Sequence, residues 1–320
     1  MNRADVVVIG AGVIGLTTAV CLAEAGARVR VLTRDPPQRT TSAAAGAVWA
    51  PYRIGGDPVR IRRWGQRSLE VLTALARSGG SGVRMIASIE ISHGPVPAPE
   101  WWALAPAPRP CVAEELPAGY SHGYRFVVPA LDMPVYLAWL LRRLARAGGT
   151  LQRQTVTSLD AVRGTAHAIV NCSGTGAREL ARDAELLPVR GQIVLVVNPG
   201  IRVGMVEIED DEDHGEQTFC IPHGDKLVLG GTIEPYDERG QPDPRTTRAI
   251  VARCARLDTR LAEPRILAQR VGFRPVRPEV RVGADPQGPA GIWHNYGHGG
   301  AGITLSWGCA EEITASVLAR

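Results

Sequence analysis

Lysine is all but missing from this 320-residue chain: Lys226 is the only one among 36 basic residues. Arginine supplies the rest, beside abundant alanine, glycine and proline, a composition expected of a GC-rich coding sequence rather than of a basic binding surface. The formal charge is only +4, so the charge balance gives no pointer to nucleic acid. No run of roughly 18 apolar residues occurs, which argues against a membrane-spanning helix. A secretory leader is not expected either, because the apolar run at 6–16 follows only Arg3 and Asp5 and leads to no small-residue cleavage site. The six cysteines (Cys21, Cys111, Cys172, Cys220, Cys254 and Cys309) are scattered without a CxxC pair. That scatter fits reduced thiols in the cytoplasm better than a disulfide framework or a zinc site. Internal repeats and low-complexity linkers are absent as well. The expectation is a soluble, cytoplasmic globular protein, long enough for two domains or one large α/β domain.

What is present begins with alternating strand and helix signals. Asp5–Ile9 is a continuous apolar strand of the kind buried on both faces of a parallel sheet. Residues 13–25 carry helical periodicity and stop at Gly26, and Arg28–Thr33 reads as a second strand, completing a βαβ unit. A loop-rich stretch runs from Asp35 to Pro58, an amphipathic helix follows near 60–77, and residues 93–120 show no period. Ala130–Ala147 reads as a helix, with strands near 150–157, at His167–Asn171, at 190–197 and at 226–231, and Gly302–Ala319 as a closing helix. Nucleotide-binding signals at both ends and in the middle predict interleaved domains: 1–60, 130–185 and 283–320 against 61–129 and 186–282.

Between the first strand and first helix lies Gly10-Ala11-Gly12-Val13-Ile14-Gly15. In a GxGxxG turn the first glycine permits the bend, the second lets backbone approach a pyrophosphate, and the third lets helix pack close to strand. The helix N-terminus offers N–H groups and partial positive charge to the phosphates. Dinucleotide binding follows, but the loop leaves FAD and NAD undecided. The acidic residue usual at the end of the second strand is not at Thr33; Asp35 reaching a ribose, or Arg34 lying near the adenosine, takes its place.

Further segments narrow the choice. They are Ala45–Pro51 (AGAVWAP), Val170–Gly174 (VNCSG), Val189–Ile193 (VRGQI), Gly272–Pro278 (GFRPVRP), and Asn295–Thr304 (NYGHGGAGIT) followed by Trp307–Ala310 (WGCA). In this order, with the N-terminal loop, they resemble the D-amino acid oxidase family over the whole chain, a pattern shared by D-aspartate and glycine oxidases. Read as chemistry, Gly297-His298-Gly299-Gly300 ahead of a helix is a second Gly-rich helix entry, suited to the electron-rich edge of a flavin. Asn171–Gly174 puts small groups at the carboxyl end of the sheet, where ligands sit in such folds.

The resemblance implies an α/β protein: a Rossmann-like FAD-binding domain interleaved with an α+β substrate-binding domain. FAD contacts would come from Gly10, Gly12, Val13, Ile14, Gly15, Arg34, Asp35, Thr41, Ser42, Ala45, Gly46, Ala47, Val48, Gly174, Gly299, Gly300, Gly302, Ile303 and Thr304. It implies that Arg274 holds the substrate carboxylate, a bidentate match of planar groups, that the Gly300 carbonyl receives the amine, and that Tyr52 and Phe219 count with them among the catalytic residues. Family members usually place Tyr where Phe219 stands, so one carboxylate hydrogen bond is missing. Arg277 is read as a structural neighbour. Glu207, Glu209, Asp210, Asp211, Glu212 and Asp213 occupy the segment that lids the site in the family, either as a solvated acidic loop or as a field favouring cationic side chains. Ile233 stands where members specific for acidic substrates carry a basic residue.

The implied reaction is oxidative deamination of D-amino acids to 2-oxo acids with ammonia and hydrogen peroxide, neutral or cationic side chains preferred. It needs positioning rather than a general base. The partners are a small amino acid and oxygen, without nucleic acid or membrane, and a homodimer stays open. Alternatives from the same residues are a biosynthetic amine or imino-acid oxidase, which Phe219 favours, a flavin-binding protein with little oxidase activity, and an NAD-dependent dehydrogenase.

Overall fold

The computed structural model describes residues 4–51, 54–96, 104–208, 216–286 and 291–319. The chain runs β1 (Ala4–Ile9), α1 (Val13–Glu24), β2 (Val29–Thr33), α2 (Pro58–Ser78), β3 (Val83–Ser92), β4 (Arg109–Pro110), β5 (His122–Leu131), α3 (Met133–Arg146), β6 (Thr150–Arg153), β7 (Ala166–Asn171) and α4 (Ala177–Leu180). It continues through β8 (Leu187–Val197), β9 (Gly204–Glu207), β10 (Glu216–His223), β11 (Lys226–Thr232), β12 (Glu234–Pro235), α5 (Pro244–Leu257), β13 (Ile266–Ala284), β14 (Ile292–His298) and α6 (Gly302–Leu318).

β1 pairs in parallel with β2 on one side and β7 on the other, which is why Val6 to Ile9 are all buried and why its sequence does not alternate. β6 extends this block beyond β2, and β14 joins it beside β7. A second, largely antiparallel region follows the order β13, β8, β11, β10, β9, β3, β5, β4, with β12 attached to β8; the β3–β9 pair within it is parallel. Among the described residues the two regions form one mixed 14-stranded sheet, because β13 pairs with β8 along its first half and with β14 along its second.

Helix faces follow their sequence periods. α3 buries Met133, Tyr136, Leu137, Leu140 and Leu144, and α2 buries Trp64, Ser68, Leu69 and Leu72, single stripes at three- and four-residue spacing. α2 and α5 each start with an aspartate accepting a backbone N–H (Asp57 from Val59, Asp243 from Arg245) and a proline in the first turn. α1 is buried almost all round, since it packs against α3 and α6 as well as the sheet. Around these helices lie Trp49, Trp64, Trp293 and Trp307, each indole N–H satisfied: by the Gly65 carbonyl, Glu312, Ser316 and Tyr136 respectively. No described helix is long and apolar enough to cross a membrane.

Several sequence expectations shift. Residues 130 and 131 end β5 instead of opening α3, the strand near 150–157 stops at Arg153, and β3, β5, β10 and β13 were not legible as strands. β13 hides its period behind Pro275 and Pro278, and β3 and β5 alternate only weakly because both their faces are partly covered. Glu207 does not belong to a lid loop: it ends β9, is 7% exposed, and accepts a hydrogen bond from the Tyr120 hydroxyl at 2.7 Å. Glu209, Asp210, Asp211, Glu212 and Asp213 lie outside the described residues.

A buried polar junction fastens β13 to β14. The Tyr296 hydroxyl (2.7 Å) and the Arg277 guanidinium (2.9 Å) both donate to Asp183. Burial pushes the Asp183 carboxyl up, but these two donors outweigh it and hold it below its ordinary value. Asp183→Ala removes the buried acceptor that Tyr296 and Arg277 share, while Arg277 keeps Glu185 and the Glu279 carbonyl, and is expected to cost about 1–3 kcal/mol, read as a lowered urea midpoint. Since the folded-state value is depressed, the wild-type contribution is full above the ordinary Asp range, near about 4, and is lost as pH falls through the folded value. An Asp183→Ala protein with the wild-type midpoint and acid profile would contradict this.

Candidate active site

A cavity of about 990 Å³ opens at the carboxyl ends of β1, β2 and β7 and extends across one face of the antiparallel region. Its size lies at the upper end of small-molecule pockets, about 300–1,000 Å³. At its first end sits the N-terminus of α1, with Gly12, Val13 and Ile14 on the wall beside Gly10. Gly10 has φ +108°, and a Cβ there would stand 2.4 Å from the Cys172 carbonyl oxygen; a Cβ on Gly15 would stand 2.0 Å from that of Gly10. Gly15 therefore lies behind the loop and sets the helix against the strand, while the loop presents backbone to the cavity. Arg34 and Asp35 line the same end as an exposed ion pair at 2.7 Å, and Gly174 closes it from the turn after β7.

The middle wall is the segment 40–48. Thr41, Ser42 and Ala45 to Val48 all line the cavity, and cross-chain bonds fix their backbone. The Ser42 hydroxyl accepts from the Val13 N–H (2.9 Å), the Thr41 hydroxyl donates to the Phe273 carbonyl (3.1 Å), and Arg270 donates to the Ala43 carbonyl (2.9 Å). His223 Nε2, held neutral by burial, reaches the Gly46 carbonyl at 3.1 Å.

At the far end Gly299, Gly300, Gly302 and Ile303 line the cavity where α6 begins. α6, like α1, has no acidic residue in its first turn and no capping side chain at its N-cap, so two helix N-termini face one cavity with their partial positive charge unopposed by a first-turn carboxylate. Thr304 points elsewhere: its hydroxyl donates to the Ala50 carbonyl at 2.8 Å and accepts from the Ala50 N–H at 3.1 Å, tying α6 to the middle wall. His298 lines the cavity with Nε2 buried and without a hydrogen-bond partner among the described residues. Burial pulls its pKa down to about 3, so the ring is neutral near pH 7.

Arg274 projects into the cavity from β13. Its Nη1 donates to the Thr232 carbonyl at 2.9 Å, and its guanidinium lies over Gly191, where a Cβ would come within 2.4 Å of Nη1. Arg277, three residues on, faces the other side and belongs to Asp183. Beneath Gly191 the fully buried Arg190 pairs with Glu234 and donates to the carbonyls of Arg239 (2.7 Å) and Gln241 (2.9 Å). It thereby pins the loop that carries Ile233 and Gly240 to the cavity rim. Arg190 was not singled out from sequence, although its position inside the VRGQI segment was the available signal. Phe219 is buried in an apolar cluster with Ile193, Ile221 and Val206, its ring laid against Gly230 and Gly46, so packing as well as the lost hydroxyl distinguishes it from a tyrosine. Tyr52 lies outside the described residues.

Residues 5–316 match the family described as FAD-dependent oxidoreductase. The chain is 48% identical to a D-amino-acid oxidase of Rubrobacter xylanophilus, covering 98% of this chain and 95% of that protein. It is likewise 48% identical to a D-amino-acid oxidase of Streptomyces coelicolor, over 96% and 95%. Glycine oxidase from Geobacillus kaustophilus, a solved structure, superposes with a TM-score of 0.81 at 19% identity, covering 100% of this chain and 96% of that one.

The close fit of Gly191 under a flexible guanidinium gives a selective test. Gly191→Ala is expected to displace Arg274 with little change in thermal midpoint, since the atom it meets is the end of a long side chain. Benzoate, a flat carboxylate, should then bind the flavoprotein about 10- to 100-fold more weakly, the loss of one charged hydrogen bond being worth about 1.5–3 kcal/mol. Titration of the flavin absorbance measures it; an unchanged dissociation constant would show that the guanidinium keeps its place or that the carboxylate binds away from Arg274.

Proposed function

The chain belongs to the D-amino acid oxidase family of FAD-dependent oxidoreductases, and from that premise we propose that it oxidises D-amino acids, with neutral and cationic side chains preferred over acidic ones. The cavity fits FAD: two helix N-termini with unopposed partial positive charge face it, one for a pyrophosphate and one for the electron-rich edge of the ring, and the wall between them is backbone and small side chains. FAD, when bound, would supply the hydride acceptor and the passage of electrons on to oxygen. Gly12, Val13 and Ile14 would hold the phosphates, and Gly299, Gly300, Gly302 and Ile303 the ring.

The observation that carries the substrate assignment is Arg274, oriented by the Thr232 carbonyl and given room by Gly191. Its guanidinium pairs with the substrate carboxylate, and the Gly300 carbonyl accepts a hydrogen bond from the substrate amine. Two anchors fix the Cα–H direction, which is most of what the reaction needs. The amine reacts unprotonated: its lone pair forms the C=N bond as hydride leaves Cα, and the imino acid is hydrolysed in water to a 2-oxo acid and ammonia. His298, neutral and buried, helps keep the ring end of the cavity dry. Phe219 supplies an apolar floor, and Ile233 at the rim offers no cation to an acidic side chain.

The purified protein is expected to be yellow and to be bleached by D-amino acids in the absence of oxygen. Arg274→Ala should lower kcat/KM chiefly through apparent substrate affinity, by the roughly 2–5 kcal/mol that follows removal of one partner of a desolvated charge pair, or about 30- to several-thousand-fold. Peroxide release across a panel of D-amino acids measures both. Wild-type kinetics in the variant would place the carboxylate elsewhere.

A further inference from the structure

We propose that His223 is a positioning residue for the flavin: its Nε2–H holds the peptide between Gly46 and Ala47 so that the Ala47 N–H faces the cavity as a donor to the cofactor. This rests on the reading of the 40–48 wall as a flavin contact.

Three observations meet at this peptide. Ala47 has φ +60°, in the left-handed region, although it carries a side chain and is 6% exposed. A non-glycine residue persists there only when its surroundings hold it. The Gly46 carbonyl oxygen lies 3.1 Å from His223 Nε2; a carbonyl can only accept, so this nitrogen carries the proton and donates. The Ala47 N–H, in contrast, has no acceptor among the described residues. Buried N–H groups without a partner are rare in folded proteins, and this one belongs to a residue on the cavity wall.

A trans peptide sets its C=O and N–H on opposite sides. His223 ends β10 and takes up the oxygen without lining the cavity itself, whereas Gly46 and Ala47 both line it. The N–H therefore points from His223 toward the cavity. Phe219, four residues earlier on the same face of β10, supports Gly46 from below: a Cβ there would stand 3.0 Å from its ring. Further on, the Ala47 carbonyl accepts from the Leu131 N–H at 2.8 Å, and the Trp49 N–H donates to the Pro129 carbonyl at 2.9 Å. Those bonds tie the segment to β5 but belong to other peptides, so the orientation of the Gly46–Ala47 plane is left to His223.

Turning that one peptide over changes Gly46 ψ and Ala47 φ and little else. It takes Ala47 out of the left-handed region and brings the Gly46 oxygen into the cavity. Without the His223 hydrogen bond, backbone strain favours the turned form. The edge of a flavin presents mostly acceptors, ring nitrogens and carbonyl oxygens. An inward N–H binds that edge, and an inward carbonyl opposes it.

The test uses the holoenzyme with His223→Leu and with His223→Gln, whose amide keeps an N–H donor. His223→Leu should raise the FAD dissociation constant about tenfold, read from flavin fluorescence on dilution, the weight of one hydrogen bond. His223→Gln should match the wild type. Ala47→Gly removes the cost of a positive φ and should restore most of the affinity lost in His223→Leu; a packing defect at His223 would not respond to it. A crystal structure of the wild-type holoenzyme should show the Ala47 N–H within hydrogen-bond distance of a flavin acceptor. The Gly46 oxygen facing the flavin there overturns the proposal, whether or not His223→Leu folds. So does wild-type affinity in His223→Leu, or a loss that Ala47→Gly leaves untouched; all three leave the flavin contact standing. Bound FAD out of reach of residues 46–48 overturns both readings.

Discussion

One strand has to satisfy two neighbours at once, and the site depends on it. β13 pairs with β8 from Ile266 to Val276 and with β14 from Val276 to Ala284, so it cannot slide along either without breaking the ladder to the other. The change of partner falls at the register shift between Val276 and Arg281, where Pro278, which lacks an N–H, is tolerated. The Gly299 N–H donates to the Pro275 carbonyl at 2.9 Å. That bond sets the glycine turn before α6 next to Arg274, so the wall proposed for the carboxylate and the helix entry proposed for the flavin are held by one register.

The same strand shows how arginines close together in sequence take separate roles. Arg270, Gly272 and Arg274 alternate onto the cavity face: Arg270 holds the Ala43 carbonyl, Gly272 passes close to Ala44, and Arg274 enters the cavity. Arg277, an odd number of residues further, falls on the opposite face and is taken up by Asp183, Glu185 and the Glu279 carbonyl. Arg190, on the neighbouring strand, faces away from the cavity yet shapes its rim through Glu234 and the 239–241 backbone. With a single lysine in the chain, anchoring of this kind falls to guanidinium groups, whose several fixed donors can bind carbonyls and carboxylates together.

Carboxylates near the cavity divide by the same rule. Glu207 and Glu90 each stand one residue from apolar neighbours on their strands, and strand register sends them to opposite faces of the sheet. On the side that α5 covers, Glu207 finds Tyr120 and Arg256; on the other, Glu90 meets the cavity.

The local sequence by itself determined the βαβ opening, the glycine loop whose φ and close contacts demand glycine at Gly10 and Gly15, the amphipathic stripes of α2, and the family through its ordered motifs. These are short-range matters: a turn, a helical period, a helix–strand approach set within six residues. Tertiary structure alone decided that β3, β5, β10 and β13 are strands, that Thr304 bonds Ala50 rather than facing the cavity, that Glu207 turns inward, and that Arg190 anchors the rim. Each depends on which neighbour covers which face. Strand alternation says only that successive residues point opposite ways, and pairing with segments a hundred residues distant supplies the absolute direction.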